Sequence, residues 1–240
     1  MSTEGLLAYC RPGFEPDLAA ELGHHAGVQG IPAYAKTERG SAFVMLLGAP
    51  RDLLAEAIPY SQLVFGRQKY ALIDALEDLD PLDRISPVLE ALGGKGRYGD
   101  LSVETPDSDD ARQLAGLAKA FGNALRPALR KRGMLTDKPN PKLPMLHVVF
   151  VRNNHLLLAS STAGDRSPWP MGIPRLKQDS RAPSRSAMKL DEALACLMTP
   201  AERMDLISEG MAAADLGASP GGWSWVLATH HIRVTAIDNG

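Results

Sequence analysis

"ADLGASPGGWSWVLATHHIRVTAIDNG" occupies residues 214–240. The apolar run MAAADLG reads as a short strand that ends near Asp215. Gly217–Gly222 then reads as a turn, residues 222–230 as a helix, and RVTAID as a second strand closing on Asp238. A strand, a glycine-rich turn, a helix and a strand open an α/β sheet whose ligand sits beyond the carboxyl ends of the strands. Glycines there allow positive φ and let a ligand approach the backbone closely. The helix that follows offers its unpaired N–H groups to the same space. Asp238 stands 21 residues after Gly217, where an acid can accept hydrogen bonds from ribose hydroxyls.

The turn is not the G-x-G-x-x-G of dinucleotide sites. It runs Gly217-Ala218-Ser219-Pro220-Gly221-Gly222, and Pro220 removes a backbone donor that a pyrophosphate would use. A ligand without phosphate suffers less from that loss. S-adenosylmethionine has none, which tilts the expectation to a methyltransferase over a nucleotide-dependent oxidoreductase.

The remainder of the 240 residues has room for one large domain or two to three small ones. No run of about 18 apolar residues suggests a membrane span, and MSTEGLLAYCRPGF lacks the basic and apolar regions of a signal peptide. Cys10 and Cys196 form no disulfide framework and fit a reducing cytoplasm, each as a small buried hydrophobe. The net charge of −2 conceals an asymmetry. Residues 112–142 carry eight Lys/Arg (Arg112, Lys119, Arg126, Arg130, Lys131, Arg132, Lys138, Lys142) against Asp137 alone. That segment is either a polyanion-binding surface or a solvated basic helix face.

Along the chain, LLAYCR suggests a strand and residues 15–27 a helix with Leu18, Ala19, Leu22 and Ala26 on one face. YAKTERGSAFVMLLG suggests two strands about Arg39-Gly40-Ser41, residues 51–58 a helix, and LVFGRQKYALI a long strand. This β-α-β-β-α-β order is the ferredoxin-like pattern, expected over 1–74. A second small α/β unit is expected over 75–163. Its parts are a helix in PLDRISPVLEALGG, a strand in DLSVETP, a basic helix over 109–133 kinked or broken at Pro127, and a hairpin about Asn153-Asn154. Residues 164–185 suggest an extended, ordered linker. Ser184 or Ser186 is positioned to cap a helix whose Ala187, Leu190, Leu194 and Leu197 share one face, and Pro200 starts another.

"DLGASPGGWS" resembles the cofactor motif of FtsJ/RrmJ-type ribosomal RNA ribose 2′-O-methyltransferases. With "CRPGFEPDLAAEL", "MGIPRLK" and "APSRSAMKLDEA", nearly the whole chain resembles the RlmM family of 23S rRNA cytidine 2′-O-methyltransferases. The resemblance implies a ferredoxin-like unit, a THUMP RNA-binding domain over 75–163, and from residue 186 the first part of a Rossmann-like methyltransferase sheet. It implies S-adenosylmethionine as cofactor and 23S rRNA as partner. Ser186, Gly217, Ser219, Pro220, Gly221, Gly222 and Asp238 match the cofactor site, and Asp215 belongs to the same motif with a weaker claim to direct contact. Arg126, Arg130, Lys131 and Arg132 become RNA contacts, as do Arg175 and Lys177, against the alternative of solubilising charge.

Lys189 matches the first lysine of a Lys-Asp-Lys-Glu set. The second lysine of that set is the expected proton acceptor, and it, the aspartate and the glutamate match nothing up to Gly240. The chain is therefore expected to be a fragment of a larger enzyme and inactive alone; the alternative is a non-catalytic RNA-binding fragment. The pairs His24-His25 and His230-His231 point about 100° apart on a helix, so neither is a chelating pair, and no metal is expected. His147 and His155 are expected to be structural, Trp223 and Trp225 to pack the helix, and Trp169 to stack on a base or anchor the linker.

Overall fold

The computed structural model describes residues 3–239. It divides into two compact units, the first ending at Gly172 and the second beginning at Ile173. The first opens with β1 (Gly5–Tyr9), α1 (Glu15–Val28), β2 (Tyr34–Thr37), β3 (Phe43–Leu47), α2 (Arg51–Ala57) and β4 (Gln68–Leu76). It continues with α3 (Ile85–Ala91), β5 (Asp100–Glu104), α4 (Asp109–Arg112), α5 (Ala115–Lys131), β6 (Met145–Arg152) and β7 (His155–Ser161). All seven strands form one sheet in the order β2-β3-β1-β4-β7-β6-β5. The β2-β3-β1-β4 half is ferredoxin-like, and β4 pairs antiparallel with β1 on one side and β7 on the other. The boundary expected at 74/75 thus falls inside a strand shared by both halves.

Side chains alternate across the strands, so each strand serves two cores. Leu6, Ala8, Val44 and Leu46 pack under Leu18 and Leu22 of α1 and Leu54 of α2. Leu146, Val148, Phe150 and Leu158 pack under Leu125 and Leu129 of α5. The intervening residues Leu7, Tyr9, Tyr70, Leu72, Val149 and Leu157 form a third cluster on the opposite face. That face is buried because the sheet curls. In a flat sheet β1 and β5 would stand about 19 Å apart, four inter-strand spacings. Here the Tyr9 hydroxyl donates to Glu104 Oε1 at 3.0 Å.

Several local expectations are corrected. The strand expected from Leu63 begins at Gln68, because the Glu21 carboxylate takes the N–H groups of Val64 and Phe65 at 2.6 and 3.0 Å. The basic helix breaks at Gln113-Leu114, not at Pro127, which lies inside α5. Burial of Ala118, Phe121, Leu125 and Leu129 along one stripe holds α5 together against a proline cost of about 3 kcal/mol. The expected linker is split. Residues 165–172 belong to the first unit, where the Gln68 side chain accepts the Ser167 N–H at 2.9 Å and Asp165 pairs with Lys69 at 2.5 Å.

The second unit holds α6 (Ser186–Cys196), α7 (Pro200–Leu206), β8 (Ala212–Leu216), α8 (Gly222–Thr229) and β9 (Arg233–Ile237). β8 and β9 pair in parallel, Ala212 opposite Arg233 and Leu216 opposite Ile237. Ala187, Leu194 and Val226 make its small core, joined by Leu190 and Trp225. Leu197 and Cys196, expected inside, are exposed because α6 stops at Cys196. α7 starts with a capping box, Thr199 with Glu202.

Behind the curled face lies a buried polar group. Glu104 also accepts from Ser102 Oγ at 3.0 Å. The His147 ring stacks on Tyr70 at 3.8 Å, its Nε2 meets Ser161 Oγ at 2.8 Å, and its Nδ1 has no hydrogen-bond partner. Glu104 Oε1 is 3.8 Å from that Nδ1, yet burial outweighs the attraction. It raises the Glu104 carboxyl and, with the Arg166 charge, pushes His147 from 6.5 down to about 3. Below pH 6.5 the unfolded histidine takes a proton that the folded one refuses. Stability from this site is therefore full above that pH and is lost as pH falls, at up to ~1.4 kcal/mol per pH unit. The raised Glu104 acts in the opposite sense, its contribution fading as pH rises. Urea unfolding between pH 4 and 7 should show a shallower acid slope in His147→Gln than in the wild type; equal slopes would mean that His147 protonates while folded.

Candidate cofactor site and basic surface

The turn after β8 is built by two acids and two positive-φ glycines. Asp215 is buried, and its Oδ2 accepts the Ser224 N–H at 2.9 Å and the Ser224 hydroxyl at 2.7 Å. The carboxylate so satisfies the first turn of α8 and suits its positive end. Asp215 acts here on the protein's own backbone, and Ser224, which the sequence reading passed over, is its partner. Asp238 follows β9 directly, and its Oδ2 accepts the Ser219 N–H at 2.7 Å. The Gly217 N–H bonds the Ile237 carbonyl at 2.8 Å, so the turn is held against the end of β9.

Gly217 and Gly221 take φ of 76° and 91°, and a Cβ on either would meet nothing. Their backbone therefore borders open space at the carboxyl ends of β8 and β9. Ser219 and Pro220 are exposed beside them. Gly222 is glycine for a different reason. A Cβ there would collide with Ser186 Oγ, Ser184 Oγ and the Ala187 nitrogen. The start of α6 thus packs directly on the start of α8. Ser184 does not cap α6 in the expected way; its hydroxyl lies 2.5 Å from Ser186 Oγ. The Trp223 indole N–H donates to the Ser186 carbonyl at 3.1 Å. Ser186, Ser219, Pro220, Gly221, Gly222 and Asp238 are thereby gathered at one end of the two-stranded sheet. Lys189 is exposed on α6, three residues beyond Ser186 and so on the same side of the helix. Arg175 and Lys177 are exposed in the same unit with no side-chain partner among the described residues.

In the first unit the basic helix divides by role. Arg126 donates to Asp100 Oδ1 and to the Leu101 carbonyl, both at 2.7 Å, which ties α5 to β5 and spends its charge within the fold. Arg130 reaches the carbonyls of Thr136 and Asp137 at 3.2 and 2.8 Å and keeps its charge at the surface. Lys131 and Arg132 are exposed and carry no side-chain partner among the described residues.

Two substitutions test this construction. Gly222→Ala should destabilise the second unit by about 1–3 kcal/mol through overpacking, read as a loss of thermal midpoint; an unchanged midpoint would mean that α6 and α8 separate freely. Asp215→Ala should cost about 1–3 kcal/mol, since it leaves the Ser224 donors unpaired. Ser224→Ala should cost less, because the backbone bond survives, and the reverse order would refute the capping role.

Three family models match the chain. They are the RlmM ferredoxin-like domain at residues 3–70, the N-terminal model of ribosomal RNA large subunit methyltransferase M at 83–162, and the FtsJ-like methyltransferase at 182–240. Ribosomal RNA large subunit methyltransferase M of Xanthomonas axonopodis pv. citri (strain 306) is 57% identical over 236 residues, which are 98% of this chain and 68% of that protein. The protein of the same description from Xanthomonas campestris pv. campestris (strain B100) is 56% identical over the same shares. Among solved structures, TrmN from Thermus thermophilus is similar at 14% identity and a TM-score of 0.44, over 99% of this chain and 66% of that one. With more than half its residues identical to those relatives across nearly its whole length, the chain belongs to the ribosomal RNA large subunit methyltransferase M family, and it is an rRNA methyltransferase by that membership.

Proposed function

We propose that the protein transfers a methyl group from S-adenosylmethionine to the ribose 2′-hydroxyl of a cytidine in 23S rRNA. One observation carries the cofactor part of this reading. An open glycine backbone and an acid lie together at the carboxyl ends of two parallel strands, the position at which α/β sheets take their ligands. Asp238 would hold the ribose of the adenosine. Gly217, Ser219, Pro220, Gly221 and Gly222 would border the rest of the cofactor, with Ser186 beside them. S-adenosylmethionine, when bound, supplies an electrophilic methyl group. The protein's own task is to bring a ribose hydroxyl to it and to remove the proton that the hydroxyl loses. Lys189 is the residue we assign to orienting that hydroxyl; the proton acceptor that the family resemblance implies, the second lysine of the set, matches no residue of the sequence given.

The RNA part of the reading rests on the exposed charges of Arg130, Lys131 and Arg132 in the first unit, the THUMP region, and of Arg175 and Lys177 in the second. Phosphate contacts of this kind position an RNA without reading its sequence.

Calorimetric titration should show S-adenosylhomocysteine binding and no competing affinity for NAD; preference for NAD would sink the assignment. Asp238→Ala should weaken S-adenosylhomocysteine about tenfold or more, the value of a lost charged hydrogen bond. In the active enzyme Lys189→Ala should lower turnover on 23S rRNA about 10²-fold or more while leaving cofactor affinity within a small factor. Undiminished turnover would reduce Lys189 to an ordinary surface lysine.

A further inference from the structure

The sequence "GGKGRYG", residues 93–99, joins α3 to β5 and lies outside the segment in which the basic charge is concentrated. The fold brings the two together. The Tyr98 N–H donates to the Met134 carbonyl at 2.8 Å, the Thr136 N–H to the Tyr98 carbonyl at 3.1 Å, and the Asn140 N–H to the Gly99 carbonyl at 3.0 Å. The loop before β5 is therefore zipped to the loop after α5. Gly99 is fixed by this pairing, since a Cβ there would strike the Asn140 carbonyl oxygen. Gly94 and Gly96 are different. They take φ of 73° and 103°, and a Cβ on either would meet nothing. The base of the loop is rigid and its tip is bare apart from Lys95 and Arg97. A bare tip between two cations lets a polyanion backbone approach closely.

Beside this tip is a cleft of about 330 Å³, whose lining includes the cations Lys95, Arg97, Arg51 of α2 and Lys69 of β4 and the acids Asp52 and Asp165. Its charges are unequally free. Lys69 is spent inside the fold: its Nζ donates to the Ala55 and Ile58 carbonyls and pairs with Asp165 at 2.5 Å. Arg51 stands 3.6 Å from Asp52 in a loose contact. Lys95 and Arg97 are exposed, and neither side chain has an ion pair or hydrogen bond among the described residues. The zipped neighbour loop adds Lys138 and Lys142, exposed and equally unpaired, and the end of α5 adds Lys131 and Arg132.

We propose that this cleft and the 93–99 loop form a second phosphate-contact site for the RNA, continuous with the end of α5, in which Lys95 and Arg97 bind the phosphodiester backbone and Arg51 flanks it. The inference rests on the rRNA reading above and adds to it where the RNA lies on the first unit. Contacts of this type are electrostatic, so they are written in the salt dependence of binding, with a slope of about 0.7 per phosphate contact for single strands and 0.9 for duplex.

The test measures binding of in vitro transcribed 23S rRNA to the protein and to Lys95→Gln with Arg97→Gln at 50–200 mM salt, with S-adenosylhomocysteine binding and thermal midpoint measured on both. The double variant should show a log–log salt slope shallower by about 1.4–1.8. Its deficit against wild type should accordingly shrink about sevenfold or more across that fourfold salt range, with cofactor binding and midpoint unchanged. Arg51→Gln should show a smaller change of the same sign. Wild-type affinity and slope in the double variant would overturn the site while leaving the rRNA reading intact. Absence of RNA binding by the wild type, with cofactor binding present, would overturn both.

Discussion

Strand β4 has no free edge. It is hydrogen-bonded to β1 on one side and to β7 on the other, and everything in the first unit follows from that double pairing. Two α/β halves become one seven-stranded sheet. The sheet curls far enough for Tyr9 on β1 to bond Glu104 on β5. Curling removes the third apolar face from water without a third layer of helices, and burial of apolar area is the dominant favourable term in folding. The same curl buries a carboxyl and a histidine, whose protonation is then set by desolvation more than by their mutual attraction.

The second unit depends on satisfying a helix start. Four N–H groups at the head of α8 lack partners in the helix itself. Asp215 takes one of them, together with the Ser224 hydroxyl. The Ser219 N–H in the turn is taken by Asp238. The two acids of the motif thus serve the backbone first, and the turn they hold is the one that borders open space. Gly222 completes the arrangement by allowing Ser186 and Ser184 to lie against it. An acid at each strand end and a glycine at the helix contact are the reason the motif has the residues it has, whatever ligand it receives.

The fold was legible where periodicity and turn chemistry agree. The hairpin about Asn153-Asn154, the helix with Leu18 and Leu22 inward, and the strand–turn–helix–strand of residues 212–237 all lie where local pattern puts them. It was illegible where a distant side chain intervenes. Glu21 on α1 withdraws Val64 and Phe65 from β4 by taking their N–H groups, and nothing near residue 64 announces it. Pro127 signals a break that the buried stripe of α5 overrides. Arg126 looked like its neighbours in the basic run, yet its charge is paired with Asp100, 26 residues away.

By itself the sequence determined the class of each element, the ferredoxin-like order, the glycine turn with its two acids, and the family, because those are carried by local spacing and by identities at fixed positions. Tertiary structure decided which charges are spent and which are free. Lys69 is buried and Arg126, half-buried, is paired with Asp100, while Lys95 and Arg97 are left beside the end of α5 by a pairing between loops about 40 residues apart. A charge's availability depends on what lies within a few ångströms of it, and chain order does not encode that distance.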